Sequence, residues 1–149
     1  ITHHVAMNVA SCSIARVPSV VRAHGCRVSP DRRRVTVFVS VPRAAKVIED
    51  LRAGGGIAAV FTLPHTHETL QLKATRADVV PLAPGDAACI RAYVESFVEE
   101  LRRVGFKETL GRAVMSSADE ESVGLSFEPA AAFVQTPGPK AGSRLEPRP

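Results

Sequence analysis

Arg34-Val35-Thr36-Val37-Phe38-Val39-Ser40-Val41 reads as a β-strand, and its neighbours decide what kind of sheet it belongs to. Successive side chains of a strand point to opposite faces, so Val35, Val37, Val39 and Val41 line one side and Thr36, Phe38 and Ser40 the other. Two further β-friendly segments lie upstream. Residues 5–15 carry Val9 and Ile14 and end near Arg16-Val17-Pro18. Residues 19–29 carry Val20, Val21, Cys26 and Val28 and close at Ser29-Pro30-Asp31, where Pro and Asp favour a turn. The three segments predict an antiparallel meander.

Downstream, Pro42 suits the first turn of a helix whose apolar side is Ala44, Ala45, Val47, Ile48 and Leu51, and Gly54-Gly55-Gly56 ends it. Residues 57–63 form a continuous apolar strand. After the turn Pro64-His65-Thr66, residues 67–80 read as one long strand, with Leu70 and Leu72 on one face and Thr69, Gln71, Lys73 and Thr75 on the other. Pro84-Gly85-Asp86 opens the longest helix. Its stripe of Ile90, Tyr93, Val94, Phe97, Val98 and Leu101 follows the amphipathic spacing, and Glu99 and Arg103 stand in the favourable i, i+4 order. Gly105 ends it, and 107–115 predict a short helix. Residues 122–127 are the last strong strand, and 131–135 extend it past Pro129. From Thr136 onward Pro and Gly dominate, which predicts an extended or disordered tail. The organisation is a domain over 1–135 and a tail over 136–149, without internal repeats. Strands and helices do not alternate throughout, which argues against a doubly wound parallel sheet and for a β-barrel with covering helices.

The chain has 149 residues, the length of one domain with a core of its own. Net charge is +4, carried by fifteen Arg and four Lys against 15 acidic residues. The Arg, Ala and Val bias suggests a GC-rich bacterial genome. The densest basic run, Arg32-Arg33-Arg34, reads as a solvated turn. A nucleic-acid surface would need a longer basic stripe with stacking aromatics, and Tyr93 is the only Tyr. Cys12, Cys26 and Cys89 show no CxxC spacing and no disulfide framework, which fits a reducing cytoplasm. No stretch approaches a membrane span. The first residues carry no signal-peptide pattern and read as a frayed, truncated end.

Few constellations carry chemistry. Neither GxxxxGK[ST] nor GxGxxG after a strand is present, and Gly54-Gly55-Gly56 reads as a turn. His65-x-His67 could begin a metal site on a strand, with His24 as a remote third ligand, but the spacing reads as a surface loop and no metal is expected. His24 and Cys26 would share a strand face, without an acidic orienter. Asp119-Glu120-Glu121 reads as a solvated loop. The most informative arrangement is the entry of the helix after Ser40. Its backbone N–H groups, with Arg43 and Lys46, suit an anion such as a phosphate. The polar row Thr69, Gln71, Lys73 offers an amide and an ammonium. A flat polar heterocycle with a phosphate tail would satisfy both.

The order of segments resembles the pyridoxamine 5'-phosphate oxidase-like, FMN-binding split-barrel family. The resemblance rests on residues 33–39, Ala45-Lys46 leading to Asp50-Leu51-Arg52-Ala53-Gly54, residues 57–61 and residues 69–73. The closing pieces 125–129, Phe133 and 135–138 resemble an uncharacterised bacterial subgroup. The resemblance implies a mostly β, six-stranded Greek-key split β-barrel with flanking α-helices. It implies a homodimer with FMN in the cleft between subunits and a flavin-dependent oxidoreductase of unknown substrate. By position, Thr36, Ser40, Arg43 and Lys46 would hold the phosphate, and Thr69, Gln71 and Lys73 would meet the ring; no catalytic residue is evident. The vitamin oxidases use a C-terminal Trp and Arg segment, and this chain has no Trp. A clear haem-binding His segment near the C-terminus is also missing. The alternative reading is a non-catalytic module that stores or senses haem, a deazaflavin or a flavin.

Overall fold

The computed structural model describes residues 1–146, so the last three residues of the expected tail lie outside the described residues. The chain runs through β1 (Ala6–Cys12), β2 (Pro18–Arg22), β3 (Cys26–Val28), β4 (Val35–Ser40), helix α1 (Ala45–Arg52), β5 (Ile57–Thr62), β6 (Thr69–Ala74) and β7 (Asp78–Val80). Helices α2 (Asp86–Arg103) and α3 (Glu108–Val114), a 3-10 turn (Ser116–Asp119), β8 (Ser122–Phe127), β9 (Ala131–Val134) and β10 (Arg144–Leu145) follow. The strands form two antiparallel sheets, β10-β9-β6-β5-β1-β2 and β3-β4-β8-β7.

Three segments bend from one sheet into the other, as strands do at the corners of packed sheets. Ala23-His24-Gly25 joins β2 to β3, Thr75-Arg76-Ala77 joins β6 to β7, and Glu128-Pro129-Ala130 joins β8 to β9. With each bent segment counted once, pairing runs β1, β2–β3, β4, β8, β7–β6, β5 and back to β1, a closed barrel of six segments. β9 and β10 extend the larger sheet beyond it.

This corrects three expectations. Residues 19–29 and 67–80 are each two strands, and 131–135 leave the sheet of β8 instead of prolonging it. The inward-facing position shifts by one residue at each corner, from Val21 and Ala23 to Cys26 and Val28, from Leu70 and Leu72 to Ala77 and Val79, and from Leu125 and Phe127 to Ala132, a slip that reads in the sequence as irregularity within one strand. At the first corner His24 N–H donates to the Phe38 carbonyl while Phe38 N–H donates to the Gly25 carbonyl, so two residues face one in a bulge. Gly25 has φ +133, and a Cβ there would lie 3.3 Å from Phe38 and 3.4 Å from Tyr93.

All six residues of β4 are buried, because both of its faces are covered. Val35, Val37 and Val39 join Met7, Val9, Ala59, Phe61, Leu125 and Phe127 in the barrel core. The Phe38 side faces α2, whose Tyr93 comes within reach of the same glycine. α2 buries the stripe expected of it, most completely at Ile90, Tyr93, Phe97 and Val98. Its N-terminus is tied to β3 by Arg27–Asp86 at 2.9 Å, and Tyr93 Oη donates to the Val5 carbonyl at 2.8 Å. α1 begins at Ala45, after a turn over residues 41–44, rather than at Pro42. It packs Val47, Ile48 and Leu51 into the core against β1, β2 and β7. Among the described residues no helix is long and apolar enough to cross a membrane.

Candidate functional site

The sequence-predicted residues fall into two neighbourhoods on different sheets. The first is the outer face of the larger sheet. Strand register aligns Val20, Ala10, Ala58, Lys73 and Ala131 in one row across it, and Asn8, Val60, Gln71 and Phe133 in the next. Thr69, Gln71 and Lys73 therefore do share one face. Gln135 Nε2 donates to Gln71 Oε1 at 3.1 Å, and the Thr69 hydroxyl lies 3.1 Å from that of Thr62 and 2.9 Å from the His67 carbonyl. Lys73 Nζ stands 4.9 Å from the centre of the Phe133 ring, a cation–π distance.

At one end of this face lies a groove of about 590 Å³, within the range of small-ligand sites. Ala10, Cys12, Gly56, Ala58 and Ala131 form its low walls, and among the described residues Lys73 is the one charged residue lining it. The slot exists because small side chains from four strands and their approaches fall in register. The long side chains of an ordinary sheet surface would fill it.

The second neighbourhood is the junction of β4 and α1. Thr36, expected at the same phosphate site, stands apart from this junction: it is buried four residues back along β4, where its hydroxyl bonds to that of Ser126 at 3.1 Å. Ser40 Oγ donates to Glu120 Oε2. Arg43 Nε and Nη2 each lie 3.2 Å from Glu120 Oε1, and the Arg43 N–H points to Ser40 Oγ at 3.4 Å. The Ser40 hydrogen bond, helped by Arg43, holds the Glu120 carboxyl below the usual carboxylate range against the opposing effect of burial. Lys46 Nζ pairs with Glu49 at 3.1 Å and Asp50 at 3.2 Å, which raises its ammonium pKa. Asp50 is buried and accepts from Ser11 Oγ at 2.7 Å, which lowers its own. Ser11 borders the groove, and its buried Oγ, on the same face of β1 as Met7 and Val9, turns away from the outer face toward Asp50 and Lys46.

Sequence reasoning passed over Glu120, whose partners lie 77 and 80 positions away. No local signal reports such a contact, and the acidic run around it reads as a solvated loop. His24 is fully buried. Its Nε2 lies 3.3 Å from Ser122 Oγ, its Nδ1 has no hydrogen-bond partner among the described residues, and burial pushes its pKa down to about 4, against a smaller pull from Glu120. The bulge separates it from Cys26, whose thiol is pushed up to about 12 by burial and contacts the Ile1 carbonyl at 3.6 Å. A thiol held protonated in this way is a poor nucleophile. His65 is bound through Nδ1 and its N–H to the buried Glu100. His67 is exposed in the turn before β6. Among the described residues no group of three His, Cys, Asp or Glu is placed to hold a metal ion.

No family model matches the chain, and no curated protein matches it. Solved structures do. HupZ of Group A Streptococcus superposes with a TM-score of 0.53 at 13% identity, covering 92% of this chain and 90% of its own. An F420 reductase gives 0.52 at 13% identity, with 88% and 90% covered. A provisionally assigned pyridoxamine 5'-phosphate oxidase of Lactobacillus delbrueckii gives 0.51 at 14% identity, with 86% and 83% covered. At these identities the likeness speaks to architecture. It agrees with the closed, bent-strand barrel and its flanking helices, and the chain has the split-barrel fold of the pyridoxamine 5'-phosphate oxidase-like proteins.

Proposed function

We propose that the protein binds a flavin, FMN in the first instance, with its ring in the groove beside Lys73, and works as a flavin-dependent oxidoreductase. The observation that carries this reading is the slot itself: small apolar walls in strand register, one cation, and a polar row of Thr69 and Gln71 on the same face. A planar tricyclic ring needs such a flat apolar bed with polar groups at its edge. The bound flavin would supply hydride transfer, while the chain positions it and tunes its electronics. Lys73 would place positive charge beside the ring.

The proposed assembly is a homodimer in which the outer faces of two large sheets meet and close the groove. Val20 is 71% exposed on this face, in the same row as Ala10 and Ala58. An apolar row on an open sheet face suits a second copy of the same row. Cys12, Cys26 and Cys89 are all unpaired, in keeping with a reducing compartment such as the cytoplasm. Haem fits the groove less well, because among the described residues no histidine lines it.

The test is the visible spectrum of the purified protein before and after addition of FMN. A bound yellow chromophore, released by heat, is the expected result. A colourless protein that ignores FMN, riboflavin and a deazaflavin overturns the flavin reading, and a Soret band after haem addition replaces it.

A further inference from the structure

We infer that Glu120 is an internal competitor for the phosphate group of the ligand at the junction of β4 and α1. The inference rests on the flavin reading above and concerns what that site accepts. A hydroxyl donor beside a guanidinium, at the entry of a helix that no side chain caps, is the donor set that a phosphate monoester takes. In this chain a carboxylate already takes it. Glu120 Oε2 accepts from Ser40 Oγ, and Oε1 accepts from Arg43 Nε and Nη2 at 3.2 Å.

Ser40 is 1% exposed, so a ligand reaches its hydroxyl only by displacing Glu120. Displacement is feasible, because the Glu120 side chain is 33% exposed and that of Arg43 58%. The surrounding charge does not invite a dianion either. Lys46, the other cation of the junction, is held by Glu49 and Asp50, and Glu121 is exposed next in sequence. The native chain should therefore gain little from a ligand's phosphate. Removal of the Glu120 charge should free the seat without touching the groove where the ring lies.

The experiment titrates FMN and riboflavin, which differ by the phosphate, into the native protein and Glu120→Gln. Inorganic phosphate is followed in parallel by thermal shift. The native protein is expected to bind the two flavins with similar affinity. Glu120→Gln should tighten FMN by about tenfold or more, the order of one charge-assisted hydrogen bond, and leave riboflavin within about twofold. It should also gain a phosphate-dependent rise in Tm that the Glu120→Gln/Arg43→Ala double variant lacks. Flavin binding with an unchanged FMN-to-riboflavin ratio and no phosphate effect overturns the inference and leaves the flavin reading standing. A phosphate effect without flavin binding does the reverse. If Glu120→Gln does not fold, Glu120→Asp shortens the reach of the carboxylate and should move the same ratio in the same direction; an unchanged ratio there also overturns the inference.

Discussion

His24 shows how one buried side chain ties stability to pH. Its ordinary pKa of 6.5 falls to about 4 in the fold, chiefly because burial disfavours the imidazolium. The folded state thus holds this proton more weakly than the unfolded chain does. The stabilising effect of a neutral His24 is fully present above about pH 6.5 and is lost as pH falls through 4, an effect on the order of 3 kcal/mol. Urea unfolding of the native protein across this window should show stability rising with pH. His24→Gln should flatten that rise, and parallel curves for the two proteins would refute the assignment. The sequence offered His24 as a partner for Cys26. Neither its burial nor its contact with Ser122, 98 positions away, could be read from its neighbours. Thr69, Gln71 and Lys73 were legible as one face because alternation in a strand is local.

Among the elements, α1 and its exit are the most constrained. Gly55 passes so close to β1 that a Cβ would lie 2.5 Å from the Cys12 carbonyl oxygen and 2.8 Å from that of Asp50. Backbone atoms on both sides leave nothing able to yield. Gly55→Ala is expected to cost about 2–4 kcal/mol, in the range of overpacked and strained sites, and to lower the urea midpoint accordingly. A loss under about 0.5 kcal/mol would show that the α1–β5 connection relaxes freely. The helices were legible in the sequence: the α2 stripe gave its buried face, and the glycines after α1 gave its end. The three corners were not. The buried side slips by one residue at each bend, which reads as irregularity within one strand until pairing with a distant strand shows that β3 lies on β4 while β2 lies on β1.

For the whole molecule the expectation is a dimer through the large sheet. Ala58 is central to the exposed row, between Ala10 and Lys73, so Ala58→Glu would bring two like charges together in a two-fold interface. Sedimentation should show a native dimer and a monomeric Ala58→Glu with unchanged far-UV circular dichroism. A native monomer at micromolar concentration would dismiss the dimer. By itself the sequence determined the period of each element, the mostly β character and the barrel with covering helices, because these follow from alternation, stripes and turn residues within short windows. It also determined which polar residues share a strand face. Tertiary structure alone decided which sheet each half of a bent segment joins, that small residues of separate strands line up into a groove, and that Glu120, 77 positions away, holds Arg43, whereas the partners of Lys46 are its own helix neighbours Glu49 and Asp50. The reason is physical: a strand's faces are set by its own backbone, whereas the partner of a charge is set by where the rest of the chain closes.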